Sequence, residues 1–93
     1  MDIDTEIALR KDPDCTVRRE LAGRANLRID TEIALRADID THVRIALARN
    51  PSKLQLDTEV ALRNDKYEIV RAALAERSDL TLDSIVALAS VIA

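Results

Sequence analysis

The chain has 93 residues, of which 47% are hydrophobic and 33% charged, with 17 acidic against 14 basic residues and a net charge of −3. This length allows one domain, and a lack of Phe and Trp, with one Gly and two Pro, excludes a β-sandwich built on aromatic strands and tight turns. The acidic balance argues against a phosphate-binding surface, and the single Cys15 excludes an internal disulfide and fits a reducing, cytoplasmic setting.

Met1 and Ile3 precede the string D-T-E-I-A-L-R at Asp4 to Arg10. It predicts a helix of about two turns. A second helix begins after Asp12-Pro13, with the carboxylate as cap and proline in the first turn, where its missing N–H costs nothing. Val17 and Leu21 form its apolar stripe. The string returns at Asp30 to Arg36 and, as D-T-E-V-A-L-R, at Asp57 to Arg63. A degenerate fourth copy, D-S-I-V-A-L-A, begins at Asp83, and the starts lie 26, 27 and 26 residues apart.

The second halves repeat with more drift. Asp38 is expected to cap a helix striped by Val43, Ala46 and Leu47 at i, i+3, i+4, which Asn50-Pro51 ends. Asp65 with Glu68 makes a capping-box-like start for Val70, Ala73 and Leu74. Asp14 and Asp40 are expected to favour the positive end of their helices. Leu27, Leu54 and Leu80, followed by Ile29, Leu56 and Leu82, close the units. Ile85, Leu88, Ala89 and Ile92 give the last helix a stripe at i, i+3, i+4, i+7. The first-half helices read less cleanly, because Ile33 and Leu35 stand two apart, and this predicts 3₁₀ character there.

A fixed period of this length marks stacked supersecondary units, none of which can bury its apolar stripe alone. The reading is an all-α right-handed α-solenoid of about three and a half two-helix repeats, with no β-sheet. Its units are 4–29, 30–56 and 57–82, with a terminal half-unit at 83–93.

Asp38 to Pro51, D-I-D-T-H-V-R-I-A-L-A-R-N-P, is similar to the leucine-rich repeat variant family, whose units carry D-x-D-x-x-V-R-x-x-L-A-x-N-P. Leu80 to Ala89 resembles that family's other half-repeat. The resemblance covers essentially the whole chain and implies alternating α and 3₁₀ helices in a right-handed superhelix. HEAT-like repeats are the near alternative. The first halves depart from the family, with T-E-[IV]-A-L-R where it favours paired leucines. Some members carry an iron–sulfur cluster on cysteines outside the repeats, and Cys15 alone carries none of that over.

No residues gather as a catalytic, cofactor or metal site. His42 shares its slot with Thr16 and Ile69, and no second His or Cys stands at ligand spacing. Glu6, Glu32 and Glu59 precede Arg10, Arg36 and Arg63 by four residues, the order that stabilises a helix by about 0.3–0.5 kcal/mol a pair. Arg18, Arg44 and Arg71 recur at one slot, as a ladder between units or as a hold on a partner's carboxylates. Tyr67, the lone aromatic, is a candidate contact.

The function expected is a protein-interaction scaffold, with a nucleic-acid-binding HEAT-like module as the alternative. The slots that differ between units are where a specific surface would be written: Lys11, Ala37 and Asn64; Arg19, Ile45 and Ala72; and Gly23, Arg49 and Glu76. Val86 and Val91 are left over from the final stripe and suggest a weak homodimer through the last helix. No apolar run is long enough to span a bilayer.

Overall fold

The computed structural model describes residues 1–89. Among them are seven helices and no strand: α1 Ile3–Arg10, α2 Cys15–Ala22, α3 Ile29–Arg36, α4 Thr41–Ala48, α5 Leu56–Arg63, α6 Glu68–Ala75 and α7 Leu82–Ala87. None is long and apolar enough to cross a membrane.

First and second halves have equal helices. Each of α1 to α6 is an α-helix of eight residues, so the alternation with 3₁₀ helices is not seen. The pair that suggested it, Ile33 and Leu35, lies on two faces of one regular helix. Leu35 is fully buried, whereas Ile33 is exposed. Only one of them belongs to the core, so a spacing of two imposes no distortion.

The helix starts also differ from expectation. The side-chain caps of α2 and α4 are Asp14 and Asp40, which accept from Thr16 N and from His42 N and Val43 N. Tyr67 holds the cap slot of α6 without a side-chain bond. Asp12, Asp38 and Asp65 stand two residues earlier and form Asx turns, accepting from the backbone N–H of Asp14, Asp40 and Tyr67 at 2.8, 2.9 and 3.0 Å. A carboxylate placed there keeps its second oxygen free for another element.

Helices pack in two rows. In one, α2 contacts α4 and α4 contacts α6; in the other, α1, α3, α5 and α7 follow in order, and each unit's two helices touch. The molecule measures 40 × 20 × 16 Å. An eight-residue helix is only about 12 Å long, so no single helix runs the long dimension. Leu21, Leu35, Leu47, Leu62, Leu74 and Leu88, with Val43 and Val70, form the closed core between the rows.

Three polar connections join successive units. The second-helix arginines bridge forward: Arg18 holds Asp38 at 2.8 and 3.3 Å and donates back to the Asp12 carbonyl at 2.6 Å. Arg44 repeats this with Asp65 at 2.7 and 3.5 Å and the Asp38 carbonyl at 2.6 Å. The Asp38 contact raises the pKa of Arg18.

The first-helix carboxylates make the second connection. Glu6 accepts from Arg28 N at 2.8 Å, Glu32 from Gln55 N at 2.7 Å and Glu59 from Thr81 N at 3.2 Å. Arg28, Gln55 and Thr81 are the N-cap residues just before α3, α5 and α7, so each buried glutamate caps the next unit's helix. Alongside, Arg10, Arg36 and Arg63 donate to Thr31, Thr58 and Ser84 hydroxyls at 3.0, 3.3 and 3.1 Å. Among the described residues no Glu–Arg ion pair forms within these helices. Both partners serve the neighbouring unit, where Thr31, Thr58 and Ser84 are fully buried and a hydroxyl left unpaired would cost about 1–3 kcal/mol.

The third connection lies at the helix ends. Asn50 donates to the Ala22 and Arg24 carbonyls at 2.7 Å. One unit on, Arg77 reaches the carbonyls of Ala48, Asn50 and Ser52 at 3.0, 2.7 and 2.7 Å. These are orphan carbonyls past a helix end. Asn26, with φ +62°, places its N–H on the Ser52 hydroxyl at 2.9 Å; asparagine tolerates the left-handed region better than most residues.

Candidate interaction surface

With the polar ladders turned inward, the remaining outward faces define what the protein can meet. The first-helix row presents aliphatic side chains at two repeating slots. At the slot that opens each helix, Ile3, Ile29, Leu56 and Leu82 are 51, 58, 59 and 73% exposed. At the slot four residues on, Ile33 and Val86 are 47 and 69% exposed, and Ile7 and Val60 are half-buried. Ile29, Ile33 and Leu56 line one groove between α3 and α5 together with Arg36, Gln55 and Asp57, so aliphatic side chains of adjacent units meet there within a polar border.

The reason lies in which face of D-T-E-I-A-L-R turns inward. Thr31, Glu32 and Leu35 are buried in α3, and Thr58, Glu59 and Leu62 in α5. The threonine and glutamate are committed to the junctions, so the helix must aim its two remaining aliphatics outward. The sequence reading placed Ile29, Leu56 and Leu82 among the closing apolar positions and so missed this row. The signal was present: Thr, Glu and Leu at successive offsets of one and three share a helix face that excludes both isoleucine slots.

The last helix shows the same inversion. Ser84 and Leu88 are buried, while Ile85 is 45% exposed, so the inward face of α7 runs through Ser84 rather than Ile85. Ser84 occupies the slot of Thr31 and Thr58 and is held by Glu59 at 2.6 Å. Val86 is exposed as expected; Val91 and Ile92 lie outside the described residues.

The other candidate contacts divide. The side chains of Arg18 and Arg44 are 13 and 9% exposed and lie in the junctions. Arg71 donates to the Asp65 carbonyl. Tyr67 is 47% exposed, with Arg44 and Lys66 at 5.9 and 5.2 Å from its ring centre, a cation–π geometry on both counts.

A second, smaller feature lies on the other row. Arg19 and Gly23 face His42, Ile45, Ala46 and Arg49 across a groove of about 390 Å³. Cys15 is an exposed free thiol. No three His, Cys, Asp or Glu side chains converge as a metal site among the described residues.

No family model, curated protein or solved structure matches the chain. Its surface is therefore the basis for a functional reading.

Proposed function

We propose that the two helix rows form a right-handed α-solenoid of the leucine-rich repeat variant or HEAT-like kind, with an α-helix in place of the variant family's 3₁₀ helix, and that the chain is a protein-interaction scaffold without catalytic activity in a reducing, cytoplasmic setting. The observation that carries this reading is the aliphatic row on α1, α3, α5 and α7. Contiguous exposed apolar surface on a small protein marks a contact site, and a repeat array builds such a surface from one face of every unit. Val86 extends the row at one end, Tyr67 offers a separate exposed contact at the start of α6, and a weak two-fold dimer through α7 is part of the same proposal.

The test is capture of binding proteins on the immobilised chain, compared with the double variant Ile29→Glu/Leu56→Glu. Both side chains are exposed, so the variant should keep its helical circular dichroism and melting temperature. Proteins retained by wild type should be lost from the variant. An unchanged set of captured proteins would refute the row as the working surface.

A further inference from the structure

We propose that the groove between α2 and α4 binds acidic peptide segments, with the carboxylates of the peptide on Arg19 and Arg49 and an aliphatic side chain between them. This goes beyond the scaffold reading and stands apart from it, because the groove lies on the second-helix row and shares no residue with the aliphatic row.

Arg19 is the first reason. Nine of the eleven arginines of the chain hold a carboxylate, hydroxyl or carbonyl of their own chain. Arg19 makes no such bond among the described residues, and it lines the groove. Arg49, on the α4 side, meets Glu76 at 3.7 Å with both side chains more than half exposed. An ion pair of that kind is worth little and exchanges readily for another carboxylate.

The floor is the second reason. Ile45 is 8% exposed and Ala46 half-buried, so the bottom of the groove is apolar and already desolvated. At Gly23 an added Cβ would find only the backbone oxygens of Glu20 and Arg19, at 3.8 and 4.0 Å; the absence of a side chain leaves that end open. None of the six lining residues is acidic, although the chain as a whole carries a net charge of −3.

Two guanidiniums over an apolar floor match carboxylates that flank an aliphatic residue. Arginine holds a carboxylate through paired hydrogen bonds, which add direction to charge, and acidic motifs are read by such clusters. His42 at the rim adds a donor. Nucleic acid fits less well, since no aromatic lines the groove for base stacking.

The test uses a fluorescein-labelled peptide of alternating Glu and Leu, followed by anisotropy and by amide chemical shifts of the whole chain. Binding should move the Gly23 and Ala46 resonances. It should weaken about tenfold or more in Arg19→Gln/Arg49→Gln, which loses charge-assisted hydrogen bonds, and likewise in Ala46→Glu, which closes the floor with a like charge. The double arginine variant should melt as wild type does, so its loss of binding is read on the folded chain; Ala46 also packs against the core, so Ala46→Glu is compared at a temperature where its circular dichroism stays helical. Failure of wild type to bind, equal binding by the double variant, equal binding of a Lys-Leu peptide, or shifts confined to Ile29, Ile33 and Leu56 would each overturn the proposal. Displacement of the peptide by a lower concentration of single-stranded DNA would overturn it in favour of phosphate recognition.

Discussion

Removing the carboxylate of Asp65 isolates the energy of the arginine ladder, because the repeat supplies its own control. Asp65 bridges to Arg44 at 2.7 and 3.5 Å and accepts from Tyr67 N at 3.0 Å, and the two side chains of the pair are 8 and 9% exposed. In Asp65→Ala the guanidinium keeps the Asp38 carbonyl at 2.6 Å, a marginal contact to the Thr41 hydroxyl at 3.5 Å and the Tyr67 ring at 5.9 Å, but loses its counter-charge. Stranding one charge of a buried pair costs about 3–5 kcal/mol. The retained carbonyl bond sets the expectation at the lower limit, about 3 kcal/mol, with the lost Asx-turn bond adding about 1 kcal/mol. The Asp12 carboxylate has the same turn bond, from Asp14 N, but accepts from no arginine among the described residues; Arg18 reaches only the Asp12 backbone carbonyl, which the substitution leaves in place. Asp12→Ala should therefore cost only about 1 kcal/mol. Urea unfolding followed at 222 nm, with the slope unchanged between variants, measures both. The difference between them is the contribution of the bridge. A domain of this size has a total stability of about 5–14 kcal/mol, so Asp65→Ala should shift the midpoint far to lower urea. Arg44→Leu/Asp65→Leu should recover much of the loss, since no charge is then left buried. Equal midpoints for Asp12→Ala and Asp65→Ala would refute the ladder as a stabilising element.

Four further outcomes are expected. Leu47, fully buried in α4 at the centre of the core, should cost about 2–5 kcal/mol as Leu47→Ala, and wild-type-like melting would show that the stripe faces elsewhere. Burial raises the pKa of Glu59, but hydrogen bonds from Ser84 and Thr81 outweigh it and hold the carboxyl below its ordinary 4.5. A carboxyl depressed on folding adds stability that is present above that value and lost as pH falls through the folded one; melting temperature should drop below about pH 4.5, less steeply in Glu59→Gln, and parallel profiles would contradict this. Thr58→Val, which removes the hydroxyl that Arg36 meets at 3.3 Å in a fully buried site, should cost about 1 kcal/mol, checked by the same urea assay; no change would mean the contact is idle. Sedimentation should show self-association of wild type at high concentration that is lost in Val86→Glu/Val91→Glu, and a wild type that stays monomeric rules out the dimer.

The repeat itself is legible from the residues. A string recurring at 26 or 27 residues, with helix stripes in each half, requires stacked helices because a single stripe cannot close a core, and the helical character of the described residues follows from it. The inward direction of the second helices was equally plain: Val43 and Leu47, or Val70 and Leu74, are apolar residues on a face where apolar residues are buried.

What tertiary structure alone decided is where the polar residues of the first helices go. Read in isolation, Glu32 and Arg36 are an i, i+4 pair and Ile33 is a core residue. In the stack, Glu32 finds the unpaired N–H of Gln55 and Arg36 the hydroxyl of Thr58, partners 23 and 22 residues away that no local pattern reveals. A helix end leaves N–H groups that must be satisfied when buried, and meeting that demand from the preceding unit turns Thr, Glu and Leu inward. The isoleucines are then forced to the surface. The same exchange moved the caps from Asp12 and Asp38 to Asp14 and Asp40, because the earlier carboxylates were needed as turn formers, and in Asp38 for the arginine of the unit before.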